Sequence, residues 1–291
     1  MEDIKKLVIG TAQFGQDYGV TNQAGKVLLS DVQSIFALAR ECNISTLDTA
    51  SVYGDSESVL GDLGVNDFDV ITKLAEFDET KPNFNESIEC AMLASLSRLR
   101  LTCVDTILLH RPDQLLGCHG EKIFYALKNI KEKGLARRIG ISIYSPDFLD
   151  EVPRKFKFDV VQVPLNVFDQ RIISSGWLEK LTNMNVSVMA RSIFLQGTLL
   201  ARFVDLPEYF QPWGKEFRAW ADYCLINKIS PLQASLKFVS QIPEVEKIIV
   251  GIESENQLSE IIQAFKTPHI AKPDHLAVND LGLISPIQWP K

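Results

Sequence analysis

Short apolar runs alternate with segments of helical periodicity along almost the whole chain. A run of apolar residues bounded by turn residues is typical of a buried strand, whereas apolar residues spaced three and four apart indicate an amphipathic helix. Eight such runs are present, and each is followed by a plausible helix. The predicted strands are residues 6–11, 45–48, 67–73, 104–110, 138–142, 158–163, 186–190 and 247–250.

The helical patterns lie between these runs. The first helix is predicted to start at a capping box formed by Ser30 and Gln33, because this pair can satisfy two free N–H groups at a helix start. Gly134 is expected to end the fourth helix, since Gly readily adopts the left-handed conformation that closes many helices. Further helices are predicted over residues 57–63, 86–99, 121–133, 213–227 and 231–239.

Eight strands that alternate with helices are what a (β/α)8 TIM barrel requires. An open doubly wound sheet is the alternative, but it normally has fewer strands and a Gly-rich turn after the first one. Segment 10–15 lacks the G-x-G-x-x-G spacing of such a turn. We therefore predict an α/β barrel in a single domain over residues 1–291. The stretch 194–243 is expected to cover one sector of the barrel mouth, and the proline-rich tail from about 266 is expected to be irregular.

The amino-acid composition argues against several classes of binding partner. The 291 residues are 46% hydrophobic and 23% charged, with a formal net charge of −7, which argues against a nucleic-acid partner. The chain has no run of 18 apolar residues and no signal-type segment at its start, so we expect a soluble, cytoplasmic protein without a membrane partner.

Five cysteines without a C-x-x-C pair suit a reducing compartment. Cys118 and His119 lack a companion pair in the sequence, so no metal is predicted.

Four residues that handle protons lie at or just beyond three consecutive strand ends: Asp48, Tyr53, Lys73 and His110. Each residue alone can also be explained without a catalytic role. In the same order, they could be a turn cap, a loop aromatic, a solvated cap and a polar group inside the barrel. Together they indicate an active site, because parallel barrels place chemistry at the C-terminal ends of their strands. Lys73 is expected to lower the pKa of the Tyr53 phenol, with Asp48 holding the ammonium in place.

These residues resemble a known family, the aldo-keto reductases, over residues 7–265. Segment 48–57, with Asp48, Tyr53 and Gly54, resembles the first signature of the family, and segment 108–113 resembles its His motif. The resemblance implies Tyr53 as general acid and His110 as the residue that orients the carbonyl oxygen, with Lys73 and Asp48 as the tuning pair. The implied reaction is hydride transfer from a nicotinamide cofactor to an aldehyde or ketone.

The resemblance also implies a set of cofactor-binding residues. Ser142 and Gln162 correspond to the residues that hold the carboxamide, although Ile143 stands where an Asn is usual. Arg191 stands where many members carry an aromatic that stacks on the nicotinamide, and a guanidinium can also stack on a planar ring. The implied cofactor-binding residues are Thr11, Ser142, Gln162, Arg191, Ser192, Phe194, Gln196, Gly197, Gly251, Glu253, Ser254 and Gln257.

The cofactor is expected to be NADP from the resemblance, with NAD as the alternative. Glu253 occupies the position where members that prefer NADP usually carry a Lys or Arg for the 2′-phosphate. A carboxylate there would repel the phosphate and could accept from a 2′-hydroxyl instead. Glu253 can equally be read as an ordinary acid in the first turn of a helix.

The substrate is expected to be a small-molecule carbonyl compound. Resemblance to a bacterial subgroup associated with sugar and surface-polysaccharide metabolism favours a sugar-derived one. Candidate pocket walls are Phe14, Tyr18, Phe194 and Trp213.

Two other functions compete with a carbonyl reductase. A nucleotide-binding or sensing protein with little turnover stays open, because Ile143, Arg191 and Glu253 depart from the usual pattern. A metal-dependent barrel hydrolase is disfavoured, since His110 alone of the four histidines lies at a strand end.

Overall fold

A computed structural model describes residues 3–22, 24–79 and 84–290. Within them, eight parallel strands close into one barrel in chain order, and the last strand pairs with the first. The predicted (β/α)8 barrel is confirmed, and the open sheet is wrong. The parts of the predicted domain at residues 1, 2, 23, 80–83 and 291 lie outside the described residues. The strands are β1 Leu7–Gly10, β2 Thr46–Asp48, β3 Asp69–Leu74, β4 Val104–Leu109, β5 Ala136–Ser142, β6 Val160–Pro164, β7 Ser187–Arg191 and β8 Val245–Gly251.

Helices surround the barrel and connect its strands. All eight predicted strands and the five fully bounded predicted helices are present, with ends that differ by two residues or fewer. The α-helices are α1 Ala12–Gly15, α2 Leu29–Glu41, α3 Ser56–Leu63, α4 Phe84–Leu99, α5 Gly120–Glu132, α6 Val152–Lys155, α7 Arg171–Ser174, α8 Trp177–Asn183, α9 Gly214–Asn227, α10 Pro231–Ser240, α11 Glu255–Ala264 and α12 Leu281–Ile284. Short 3-10 helices cover Asp3–Lys6, Pro112–Leu116, Pro146–Asp150, Phe203–Asp205, Glu208–Trp213, Asp274–Leu276 and Pro286–Gln288.

The predicted capping box at Ser30 is wrong. Helix α2 begins at Leu29, its cap is Leu28, and no side chain accepts a hydrogen bond there. A capping box is present instead at the start of α10, where the Ser230 hydroxyl accepts from the Gln233 backbone and the Gln233 side chain accepts in return. Leu29 is already helical and precedes Ser30, so Ser30 lies inside the helix and the local motif did not mark the boundary.

The core has two parts, as expected for a barrel whose centre is filled. The larger part lies between the strands and the surrounding helices. The smaller part fills the barrel itself, and all of its side chains are buried. It consists of Val8, Ile71, Leu108, Val160, Met189 and Ile249. Because these apolar side chains close the interior, a small molecule can reach the polar strand ends only from the C-terminal rim.

The tail after α11 contains short helical turns, so the prediction of an irregular segment holds only between them. Trp289 is 7% exposed and packs edge-on against Phe210, with ring centroids 4.9 Å apart. Its indole nitrogen donates to the Gly282 carbonyl at 2.9 Å. The tail is thus tied to the segment that precedes α9. No helix in the described ranges combines the length and the apolar character needed to cross a membrane.

Candidate active site

The C-terminal ends of the strands surround a cleft of about 670 Å³. This volume lies in the range of cavities that bind cofactors and small ligands. The cleft brings together most of the residues that the sequence singled out. Those that line it are Thr11, Asp48, Tyr53, His110, Ser142, Gln162, Arg191, Ser192, Phe194, Gln196, Gly197, Gly251, Glu253 and Gln257.

Lys73 lies beneath the cleft in a buried ion pair with Asp48. Its Nζ is 2.5 Å from Asp48 Oδ2, and the two side chains are 1% and 5% exposed. Nζ also donates to the Thr49 carbonyl at 2.9 Å. Burial lowers the pKa of Lys73, and the neighbouring Asp48 charge opposes that shift. The ammonium is therefore held by its partners rather than by water.

The Tyr53 ring lies over this ion pair, with Lys73 Nζ 5.0 Å from the ring centroid. The pKa of the phenol is raised above its ordinary value of 10.0, first by burial and then by the Asp48 carboxylate, while Arg191 acts in the opposite direction. This differs from the expectation that Lys73 lowers that pKa. Asp48 compensates the Lys73 charge, so the pair offers little net positive charge to offset the burial of a phenolate. Tyr53 therefore keeps its proton.

His110 follows β4 and faces Tyr53 edge-on, with ring centroids 5.7 Å apart. Burial, and then the charges of Lys73, Arg191 and Arg111, lower the pKa of His110 from 6.5 to about 3. The imidazole is consequently neutral at physiological pH and offers one N–H donor and one acceptor.

Two glycines determine the path of the loop that carries Tyr53. Gly54 has a φ of +55°, a conformation that L side chains rarely adopt. A Cβ on Gly54 would collide with the Gly15 carbonyl, and a Cβ on Gly15 would collide with the Tyr53 carbonyl. The two backbones thus pack directly on each other, which places Tyr53 at the rim between β1 and β2.

Glu57 fixes helix α3 behind this loop. It is 2% exposed, and Thr72 Oγ1 in β3 donates to its carboxylate at 2.6 Å. Arg98 Nε donates to the other carboxylate oxygen at 2.8 Å. The Glu of the signature therefore has a structural role that links the Tyr53 loop to β3 and α4.

Gln162 joins the predicted carboxamide site to the candidate catalytic residues. Its Nε2 donates to Asp48 Oδ1 at 2.8 Å, and its Oε1 accepts from Ser142 Oγ at 3.1 Å. All three side chains are buried. Ser142, Gln162, Asp48 and Lys73 therefore form one continuous chain of hydrogen bonds along the rim.

Arg191, at the end of β7, is half-buried and bonded to neutral groups. Its guanidinium donates to the Ile143 carbonyl at 2.9 Å and to Ser192 Oγ at 3.1 Å. It also lies over the ring of Tyr144, 4.7 Å from the centroid. The guanidinium is thus placed by its neighbours at the side of the cleft.

The segment after β7 forms a tight left-handed turn along the cleft. Ser192, Leu195 and Gln196 have φ values of 59°, 47° and 53°, and Gly197 follows with 89°. Such non-Gly conformations are costly and concentrate at functional sites. A Cβ on Gly197 would collide with the Thr21 hydroxyl, so the backbone here approaches the opposite loop closely.

The start of α11 forms the opposite end of the cleft. Gln257 Oε1 accepts from the Glu253 N–H at 2.9 Å, while Gln257 Nε2 donates to the Glu253 carboxylate at 3.3 Å. Ser254 does not line the cleft, because its hydroxyl caps α11 by accepting from the Gln257 N–H at 3.2 Å. Glu260, two helical turns beyond Glu253, also lines the cleft and was not identified from the sequence.

Two of the predicted pocket walls are wrong. Phe14 is fully buried and packs against Phe36, and Trp213 donates its indole N–H to Asp280 at 2.9 Å, away from the cleft. Tyr18 and Phe194 do line the cleft. Arg111 and Tyr144 also line the cleft and were not identified from the sequence, although Arg111 directly follows one predicted strand end and Tyr144 lies two residues beyond another. That position is the signal that could have identified them.

Cys118 and His119 have a companion that the sequence did not reveal. One ligand atom each of Glu79, Cys118 and His119 lies within 4.8 Å of the other two. Glu79 lies in the loop after β3. Its proximity to Cys118 and His119 could not be predicted from the spacing of these residues in the sequence. Gln114 Nε2 donates to the Glu79 carboxylate at 3.1 Å, so that oxygen already has a protein partner. The three residues are not among those that line the cleft.

This chain is similar to members of a known protein family. The model of the aldo/keto reductase family matches residues 6–281. The uncharacterized oxidoreductase YqkF of Bacillus subtilis is 26% identical over 257 residues, which are 79% of this chain and 81% of that protein. The L-glyceraldehyde 3-phosphate reductase of Escherichia coli strain K12 is 26% identical over 219 residues, 65% of this chain and 63% of that enzyme.

Structural similarity extends over nearly the whole chain. The holo form of an aldo-keto reductase from Bacillus halodurans superposes with a TM-score of 0.76 at 20% identity, covering 95% of this chain and 94% of the other. That likeness concerns the fold. The family match and the oxidoreductase relatives together support a carbonyl-reducing oxidoreductase. With residues 6–281 matching the family model, this chain belongs to the aldo/keto reductase family.

Proposed function

We propose that the protein reduces an aldehyde or ketone with a nicotinamide cofactor, with Tyr53 as the general acid. One observation supports the proposal most strongly. At the C-terminal rim of the barrel, the Tyr53 ring lies over the buried ion pair of Asp48 and Lys73, and His110 lies beside Tyr53. A nicotinamide, when bound, supplies the hydride. The protein must then hold the carbonyl oxygen and deliver one proton to it.

Tyr53 is suited to deliver that proton. Its raised pKa keeps the phenol protonated across the physiological range, so the donor is loaded before each turnover. An alkoxide that develops on the substrate is far more basic than a phenolate, which makes the transfer favourable despite the raised pKa. Asp48 and Lys73 hold their positions through fully buried contacts, and they support the ring from below.

His110 is suited to orient the carbonyl. Because its pKa is lowered to about 3, it is a neutral hydrogen-bond donor rather than a competing acid. A neutral imidazole beside a neutral phenol can bind the carbonyl oxygen without protonating it prematurely. Proton transfer is thereby assigned to Tyr53 alone.

The cofactor fits the rest of the cleft by its donor set. Ser142 and Gln162 present a hydroxyl and an amide group suited to a carboxamide, and the left-handed turn at Gln196 and Gly197 lines the cleft where a phosphate group would lie. At the α11 end, Glu253 and Glu260 replace the basic residue that a 2′-phosphate would favour. We therefore propose that NAD and NADP are both accepted, with weak discrimination between them.

A cofactor-depletion screen tests the proposal. Purified protein is incubated with NADH or NADPH and a panel of aldehydes, ketones and sugar derivatives, and absorbance at the reduced nicotinamide band is followed. Oxidation of the cofactor that depends on a carbonyl compound supports a reductase. Tight cofactor binding without turnover on any member of a broad panel would favour a nucleotide-binding protein instead.

A further inference from the structure

Charged side chains are distributed unevenly around the cleft. Arg111 and Arg191 lie with His110 on the side formed by β4 to β7, whereas Glu253 and Glu260 lie at the α11 end. Asp48 is neutralised by Lys73. The catalytic end of the cleft is therefore positive, and the proposed adenosine end is negative.

Both guanidinium groups contact one aromatic ring. The Arg111 Cζ atom is 5.7 Å and the Arg191 Cζ atom 4.7 Å from the ring centroid of Tyr144. The Tyr144 carbonyl accepts from Arg171 at 3.1 Å, and Arg171 is itself bonded to the buried Asp169 at 2.7 Å. The backbone of Tyr144 is thus fixed, and its ring contacts one cation that follows β4 and another at the end of β7.

No carboxylate among the described residues pairs with the positive charge of Arg111 or Arg191. Neither Arg111 nor Arg191 forms an ion pair with a carboxylate anywhere in residues 3–22, 24–79 and 84–290. The hydrogen bonds of Arg191 go to a carbonyl and a hydroxyl, which are neutral. Arg191 is half-buried, and a guanidinium there without an anion is costly, so a ligand that supplies an anion is favoured. Arg111 is exposed and adds its charge at the same ring.

The two cations also act on the reacting end of the cleft. Both contribute to lowering the pKa of His110, so their field reaches the imidazole that is proposed to orient the carbonyl. One small substrate molecule could therefore place an anionic group between Arg111 and Arg191 and its carbonyl group beside His110. Guanidinium groups bind carboxylates and phosphates through paired, charge-assisted hydrogen bonds.

We propose that Arg111 and Arg191, aligned on Tyr144, bind an anionic group of the substrate, so that the enzyme selects carbonyl compounds that carry a carboxylate or a phosphate. This inference rests on the proposed reductase function and adds the substrate class to it. Arg111 is the specificity-determining residue, because the neighbouring Arg191 also has a proposed contact with the cofactor.

Matched substrate pairs test the inference. The carboxylate arm compares 4-carboxybenzaldehyde with its neutral ester, methyl 4-formylbenzoate, and the phosphate arm compares glyceraldehyde 3-phosphate with glyceraldehyde. We expect kcat/KM of the wild type to be at least about tenfold higher for the anionic member of one pair. Arg111→Met keeps the aliphatic stem and should remove most of that preference through KM. Arg154→Met, an exposed Arg in α6 that does not line the cleft, is the control and should keep the preference.

The outcomes separate this inference from the proposed function. Reduction of charged and neutral members with equal kcat/KM in both pairs, or an anion preference that survives Arg111→Met, would overturn the inference and leave the reductase standing. If Arg111→Met weakens cofactor binding but keeps the anion preference, Arg111 binds the cofactor rather than the substrate. That result would also overturn the inference.

Failure to reduce any of the four compounds would count against the reductase itself. The anion site is then tested by titrating the protein with 4-(hydroxymethyl)benzoate and with neutral 1,4-benzenedimethanol. Tighter binding of the carboxylate, lost in Arg111→Met, would uphold the site, and equal binding of the two compounds would overturn it.

Discussion

Gln162 donates a hydrogen bond from Nε2 to Asp48 Oδ1 at 2.8 Å, so a residue predicted to hold the cofactor is bonded directly to one beneath the proposed general acid. The remaining amide oxygen of Gln162 accepts from Ser142 at 3.1 Å. Cofactor binding and proton delivery are therefore expected to share one network, and loss of a shared residue should affect both.

Replacement of Gln162 by Leu tests this coupling. A hydrogen bond to a charged group contributes about 1.5–3 kcal/mol, so Gln162→Leu should weaken cofactor binding and lower kcat by about tenfold or more each. Fluorescence titration with NADH and steady-state kinetics measure the two effects. Ser142→Ala is the control, because Ser142 contacts Gln162 but not Asp48, and its kcat should change less than about threefold. Equal losses of kcat in the two variants would argue against the coupling.

The buried ion pair should contribute to stability as well as to activity. Lys73→Met leaves the Asp48 carboxylate buried without its cation, and breaking such a pair typically costs about 3–5 kcal/mol. Denaturant unfolding of the variant measures the loss. The double variant Lys73→Met with Asp48→Leu removes both charges and should recover much of the stability while remaining inactive. A double variant no more stable than Lys73→Met would show that the uncompensated charge is not the cause.

His110 should make the protein sensitive to acid. Its pKa is about 3 in the folded protein against 6.5 in an unfolded chain, so between these values the unfolded state binds the additional proton. Stability from this residue is complete above pH 6.5 and is lost as the pH falls toward 3, by up to about 1.4 kcal/mol per pH unit.

Urea unfolding at pH 7 and pH 5 measures this effect. His110→Gln should lose less stability than the wild type over that interval, because it has no imidazole to protonate. His269→Gln, at an exposed position, should follow the wild type. Parallel stability losses in all three proteins would mean that His110 is protonated readily in the folded state.

Glu253, just before α11, should have only a weak effect on the preference between NADH and NADPH. Screened repulsion between Glu253 and a 2′-phosphate is worth about 1 kcal/mol, which is several-fold in affinity. Glu253→Lys replaces this repulsion with attraction and should shift preference toward NADPH by about tenfold. Titrations at low and moderate salt measure the shift, with the exposed Glu255→Lys as a control. Strong NADPH preference in the wild type that Glu253→Lys leaves unaltered would show that another residue binds the phosphate.

The barrel and the positions of the four catalytic candidates could be predicted from the sequence for one physical reason. Strand and helix periodicities are local, and a closed parallel barrel places every C-terminal strand end on the same rim. Asp48, Lys73 and His110 each lie at or next to such an end, so their proximity follows from the fold class.

Properties that depend on three-dimensional surroundings could not be predicted in this way. The pKa of Tyr53 rises because the phenol is buried beside a compensated ion pair, and the extent of burial is not a local property. Phe14 and Trp213 point away from the cleft, since the direction of a loop aromatic depends on the packing of its neighbours. The contact of Arg111 and Arg191 with Tyr144 joins residues from the ends of three different strands, and no spacing in the sequence predicts it.

Tyr53→Phe tests whether Tyr53 supplies the proton. The substitution removes one hydroxyl and leaves the ring over Lys73. With the best carbonyl substrate from the depletion screen, we expect kcat to fall by about 10²–10⁴-fold, as for loss of a general acid. The dissociation constant for the reduced cofactor should stay within about twofold of wild type. A variant that retains more than about a tenth of the wild-type kcat would contradict the assignment of Tyr53 as the acid.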